Sequence, residues 1–63
     1  MAKWEADNLI DAAEAIAENA RLLAYNNRTS KLTEEKVAQI KVELRHDIED
    51  ALKSLTRIEN GER

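Results

Sequence analysis

Hydrophobic residues in the first part of the chain recur at alternating intervals of three and four positions. They alternate between alanine and a larger aliphatic residue, in the order Ala6, Leu9, Ala13, Ile16, Ala20 and Leu23. This heptad spacing predicts an amphipathic α-helix with one face packed closely against another helix. Ile10, Ala17 and Ala24 widen the apolar arc to about 160°, which predicts contact with two neighbouring helices instead of one.

The second part of the chain repeats the spacing. Its apolar residues are Val37, Ile40, Leu44, Ile48, Ala51, Leu55 and Ile58. Thr33 precedes this pattern and can cap the first turn of a helix, while Leu32 and Val37 hold the positions of a hydrophobic staple. At the other end, Gly61 can adopt the left-handed conformation that terminates many helices. These residues predict a second amphipathic helix.

The pattern as a whole predicts an all-α chain, namely one helical-hairpin domain over residues 1–63. The helices are expected at about residues 2–25 and about 33–60. Asn26 and Asn27 are expected to end the first helix, because asparagine tolerates the left-handed conformation. The linker of about residues 26–32 has the length of helix–helix connections in bundles, so the two helices should be antiparallel.

One hairpin cannot cover the wide apolar arc of its own helices. A chain of 63 residues buries little surface, and without cysteine it cannot use disulfide bonds. Two hairpins that pair into a four-helix bundle would cover the arc. We therefore predict a homodimer with twofold symmetry, whose core is formed by the two sets of apolar residues given above.

Composition narrows the classes of function. The formal net charge is −3, from 10 basic and 13 acidic residues of mixed order, which gives no electrostatic footprint for duplex DNA. With a single glycine the chain has no phosphate-binding loop or dinucleotide fingerprint. It also has no apolar segment long enough for a membrane span or a signal peptide, so we expect a cytoplasmic protein.

In its core pattern and length the chain resembles Rop, a family of small plasmid-encoded RNA-binding proteins. The resemblance rests on Ala6, Ala13 and Ala20 against Leu9, Ile16 and Leu23, and on Val37, Leu44, Ala51 and Ile58 in the second helix. It implies a helical hairpin that dimerises into a four-helix bundle with alternating small and large layers. The RNA-recognition face of that family is basic and contains a Phe, whereas the first helix here has an acidic outer face and no Phe. The resemblance therefore extends to the fold alone.

Two spacings in the second helix resemble chemical sites. Glu43 and His46 have the Glu-x-x-His spacing of di-iron bundles, and His46 and Asp50 stand one turn apart, as an acid–base pair could. On a helical wheel His46 lies about 160° from the apolar stripe, so it points to solvent. No nucleophile accompanies either pair. We expect no metal site, no cofactor and no catalytic residues, and hence no enzyme.

The remaining surface residues suggest binding of another protein. The candidate contact residues are the exposed apolar or aromatic side chains and the acidic face of the first helix, namely Trp4, Asp7, Asp11, Glu14, Glu18, Leu22 and Tyr25. Tryptophan is the residue most enriched in binding hot spots. We expect a small non-enzymatic regulator, adaptor or inhibitor that acts as a homodimer through protein–protein interaction.

Basic residues around the linker support an alternative. Arg28, Lys31 and Lys36, together with Lys41 and Arg45, could contact an anion or RNA, and the chain would then be a Rop-like RNA- or nucleotide-binding regulator. Lys41 also belongs to a group of residues at the edges of the apolar stripes, with Asp47 and Glu5. We expect their charges to set the register between helices.

Overall fold

The computed structural model describes residues 4–62, which form two α-helices. Helix α1 spans Glu5–Thr29 and helix α2 spans Glu34–Glu59, with residues 30–33 between them. The helices pack against each other in an elongated unit of 44 × 17 × 17 Å. The Arg57 guanidinium near the end of α2 lies 3.3 Å from the Glu5 carboxylate at the start of α1, so the helices are antiparallel. The all-helical hairpin predicted from the sequence is confirmed.

The beginning of α1 is capped by its own first turn. Trp4 is the N-cap residue, with extended backbone angles, and its backbone N–H donates to the Asp7 carboxylate at 3.4 Å. An indole can only donate a hydrogen bond, so the Trp4 side chain cannot cap an amide in return. The predicted start near residue 2 falls in the segment 1–3, outside the described residues.

The end of α1 differs from the prediction. Asn26 and Asn27 do not terminate the helix, which continues to Thr29, and Ser30 takes the left-handed conformation with φ of 53°. The physical reason lies in the use of the Asn26 side chain, whose Oδ1 accepts the Leu32 N–H at 3.0 Å. This bond ties the linker back to a residue that is itself still helical. The linker is accordingly shorter than predicted.

The two ends of α2 follow the prediction. The Thr33 hydroxyl accepts the Lys36 N–H at 3.1 Å, which confirms Thr33 as the N-cap. At the other end Gly61 has φ of 95°, and the Gly61 and Glu62 amides donate to the carbonyls of Ile58 and Arg57, each at 3.0 Å. This is a Schellman motif, in which glycine avoids the steric cost of the left-handed conformation.

We expect Thr33→Ala to lower the free energy of unfolding by about 1 kcal/mol, because the Lys36 amide would lose its acceptor. The matched control is Thr56→Ala. The Thr56 hydroxyl only donates to the Leu52 carbonyl within α2, so its removal should change stability by less than about 0.5 kcal/mol. Urea denaturation followed by circular dichroism at one protein concentration compares the two variants. Equal effects would contradict the capping role.

The contact between the helices is partly polar. Residues at heptad spacing are partly buried along α1, namely Leu9, Ala12, Ile16, Asn19, Leu23 and Asn26. The corresponding residues of α2 are Val37, Ile40, Leu44, Asp47, Ala51, Ser54 and Ile58, of which Ile40 and Ser54 are buried. Ala6, Ala13 and Ala20 are exposed, although the pattern placed them in the seam with Leu9, Ile16 and Leu23. Within the hairpin, α1 is thus rotated so that Ala12, Asn19 and Asn26 take their place.

Candidate interaction surfaces

One long face of the hairpin is apolar and uncovered. We call it the apolar outer face. On α1 it consists of the exposed residues Ala6, Ile10, Ala13, Ala20 and Ala24, with the partly buried Ala17 between them. On α2 it consists of Ile48, Leu52 and Leu55, which are 44%, 58% and 42% exposed. Branched apolar side chains exposed to this extent leave a large hydrophobic area in contact with water, which is typical of an interaction surface.

The opposite long face of the hairpin carries a shallow polar groove between the helices. Two adjoining depressions share Ala15 and Asp47 and together make up this groove. Its lining residues from α1 are Asn8, Asp11, Ala12, Ala15, Glu18, Asn19 and Leu22. Those from α2 are Glu43, His46, Asp47, Asp50, Lys53, Ser54 and Arg57. Five carboxylates against two basic side chains make the groove acidic.

Helical periodicity places the two surfaces on opposite sides. Ile16 is one of the α1 residues that contact α2. The residue before it, Ala15, lines the groove, and the residue four positions after it, Ala20, belongs to the outer face; the same spacing holds for Leu9. At 3.6 residues per turn the middle of the outer alanine row lies about 100° around α1 from the contact with α2. Helices of a four-helix bundle meet their two neighbours at nearly this angle.

Two polar contacts fix the register of the hairpin. The Asn19 amide donates to the Asp47 carboxylate at 3.0 Å, and the Arg57 guanidinium donates to Glu5, whose side chain is only 18% exposed. Asp47 and Glu5 therefore each bond to the other helix from the edge of an apolar stripe, the position in which the sequence placed them. Lys41 lies on the outer side of α2, where it borders one depression with Arg45 and Ile48 and a second one with Asn26 and Leu32.

The candidate contact residues for another protein separate into two groups. Trp4, Asp11, Glu18 and Tyr25 stand seven residues apart in one exposed row along α1. Asp11 and Glu18 line the polar groove, and Leu22 joins them there at 37% exposure. Asp7 and Glu14 belong to the next row, turned away from α2. The structure therefore brings Asp11, Glu18 and Leu22 together with the acidic residues of α2, which sequence reasoning did not connect.

The basic residues also lie in two places. Arg28, Lys31 and Lys36 are exposed around the linker. Lys41 and Arg45 instead flank a shallow depression with Leu44, Ile48 and Glu49 on the outer side of α2. Lys41 also borders a second depression with the linker residue Leu32, whereas Arg45 lies one turn farther along α2.

The two spacings in α2 that resemble chemical sites both lie along the polar groove. Among residues 4–62 no three His, Asp or Glu side chains are grouped so that they could hold a metal ion. His46 and Asp50 both border the polar groove, and neither shows a resolved hydrogen bond to a nucleophile. Neither of the described helices has an apolar segment of the length and low charge needed to cross a bilayer.

No protein-family model matches the chain, and no curated protein or solved structure is significantly similar to it. The apolar outer face and the polar groove are therefore the features that bear on function.

Proposed function

We propose that the chain is a non-enzymatic interaction protein that works as a homodimer, in which two apolar outer faces pack together into a four-helix bundle. The exposure of Ile10, Ile48, Leu52 and Leu55 along one face is the observation that carries the proposal. Among the described residues, Ile40 is the only hydrophobic one that is fully buried. A hairpin with so small an interior gains most of its stability by covering this face.

The surface area of the hairpin supports a dimer. Its accessible surface is 5095 Å², whereas a compact monomer of this mass exposes about 4,100 Å². The difference is close to the about 800 Å² that each partner buries in an interface of standard size. The radius of gyration is 14.3 Å, against about 10.6 Å for a compact domain of this length. Pairing of two hairpins would reduce both discrepancies.

The polar groove is the surface through which the dimer would act on another protein. It stays outside when the opposite faces pair, and its acidic lining favours a partner with a basic contact surface. Trp4, Leu22 and Tyr25 supply exposed apolar area next to it. The proposed role is a cytoplasmic regulator, adaptor or inhibitor of that partner.

Affinity capture from a lysate of the native host tests this role. The wild-type chain should retain a specific protein, and Glu18→Arg together with Leu22→Ala should lose it, because both residues line the polar groove. The matched control combines Glu35→Arg and Val42→Ala on the outside of α2, which should leave capture unchanged. The proposed role of the groove would be contradicted if the wild-type chain and both double variants retained the same protein, or if only nucleic acid were retained.

RNA or nucleotide binding is the alternative function, supported by the exposure of Arg28, Lys31 and Lys36 around the linker. It requires binding that weakens steeply with salt and is lost in Arg28→Ala.

A further inference from the structure

We infer that the second copy of the chain docks on the apolar outer face with its linker at the opposite end, and that Lys41 and Arg45 select this orientation. The inference rests on the proposed homodimer and adds its geometry. The observation behind it is a charge difference along the outer face of α2. Lys41 and Arg45 lie on the linker side of the apolar residues, and Glu59 and Glu62 lie on the other side.

The Asn19–Asp47 hydrogen bond shows which residues of the two helices lie side by side. Because the helices are antiparallel, each step forward along α1 matches a step back along α2. Four residues before Asn19 is Ala15, and four residues after Asp47 is Ala51. Ala15 and Ala51 therefore mark the same height along the hairpin.

The apolar outer face is centred at this height on both helices. Its residues on α1 run from Ala6 to Ala24, with Ala15 at the midpoint, and those on α2 run from Ile48 to Leu55, centred next to Ala51. A twofold axis perpendicular to the hairpin at this height superimposes the apolar part of one face on that of the other with linkers at opposite ends, and an axis along the hairpin does so with linkers at the same end. The apolar residues alone therefore do not choose between the two dimers, and the charges do.

With linkers at opposite ends, unlike charges meet. Lys41 and Arg45 lie about 15 Å and 9 Å from the common height toward the linker, and Glu59 and Glu62 lie about 12 Å and 17 Å from it in the other direction. The twofold axis thus brings the two basic residues next to the two glutamates of the second copy, and it does so twice per dimer. With linkers at the same end, the twofold axis would run along the hairpin and α2 would pack on α1 of the second copy. Lys41 and Arg45 would then lie level with Tyr25 and Arg21 of that copy instead of with the two glutamates.

The local surroundings of Lys41 and Arg45 strengthen this choice. The two residues stand four apart on α2, where like charges repel, so acidic groups from outside relieve them. Glu49 lies one turn beyond Arg45 and borders the same depression, but Lys41 is two turns from it. Glu34 borders another depression with Lys41, two turns away on the linker side. In the opposite-end dimer Glu34 falls beyond the end of α2 of the second copy.

Distance measurement between spin labels tests the orientation. The chain has no cysteine, so Lys31→Cys accepts one nitroxide per chain near the linker. Linkers at opposite ends predict an interchain distance of about 55 Å, twice the distance from the common height to the linker. A distance below about 30 Å would overturn the inference. Glu14→Cys, near the common height, gives a measurable interchain distance in either orientation, and absence of this signal would overturn the dimer itself.

Charge reversal provides a second readout. Lys41→Glu should weaken self-association about tenfold at low salt, because the twofold symmetry makes the Lys41–Glu59 pair occur twice in each dimer and both pairs are lost. Adding Glu59→Lys should restore it, and the difference should shrink in 1 M NaCl, at which the Debye length is about 3 Å. Lys53→Glu, in the polar groove, should leave the dissociation constant unchanged. Failure of the double variant to recover would contradict the Lys41–Glu59 pairing.

Discussion

Replacing Ile48 and Leu55 together by glutamate should convert the proposed dimer to monomer. These side chains are 44% and 42% exposed in the hairpin, and a second hairpin would cover the exposed part. Loss of about 1 kcal/mol for each of the four side chains in a dimer raises the dissociation constant about a thousandfold, and the buried carboxylates add to this effect. Sedimentation velocity at micromolar concentration measures the change.

The matched control for this experiment is Val42→Glu with Leu22→Glu. Val42 is more exposed than Ile48 or Leu55, at 58%, and Leu22 is nearly as exposed as Leu55, at 37%. Neither lies on the apolar outer face, so this double variant should remain dimeric. If both double variants sediment alike, the outer face is not the interface.

Ala13→Leu should destabilise the protein although Ala13 is exposed in the hairpin. In an isolated hairpin this change would cost less than about 0.5 kcal/mol, because leucine is nearly as good a helix former as alanine and would project into water. In the proposed dimer it would overpack a close helix–helix contact, at about 1–3 kcal/mol for each subunit. Urea denaturation at several protein concentrations separates the two cases.

Glu14→Leu is the control for Ala13→Leu, because it introduces the same side chain one position along on the exposed side of α1. It should change the free energy of unfolding by less than about 0.5 kcal/mol. Equal stability of the two variants would mean that nothing packs against Ala13.

Sequence periodicity was sufficient to predict the helices, because amphipathic spacing and end signals are local. Thr33 and Gly61 act as predicted, since a cap hydroxyl and a left-handed glycine need only their own neighbours along the chain. Asn26 shows the limit of such signals. Its side chain bonds to Leu32, six residues away, and the helix continues past it.

Periodicity could not show which helix each apolar residue meets. The alternation of large and small apolar residues predicted that Ala13 and Ala20 lie in the seam. In the hairpin, Ala12 and Asn19 are partly buried in the contact with α2 instead. Polar residues are overlooked by such a search even when they pair with each other across the contact, as Asn19 does with Asp47. The width of the apolar arc gave a partial indication, because it predicted a second neighbouring helix for the alanines that do not contact α2.

The acidic groove needed the structure for a different reason. The row from Trp4 to Tyr25 is visible in the sequence as a seven-residue spacing. The facing residues Glu43 and Asp50 belong to α2, and only the hairpin register places them opposite Glu18 and Asp11. A register set by one hydrogen bond and one ion pair between distant residues cannot be obtained from periodicity.

Sedimentation equilibrium of the unmodified chain tests the central claim most directly. An exposed apolar outer face on each hairpin predicts one species of twice the chain mass of 7.2 kDa at micromolar concentration, with helical content that falls as dilution drives dissociation. A folded species of 7.2 kDa whose thermal midpoint is independent of concentration would contradict it.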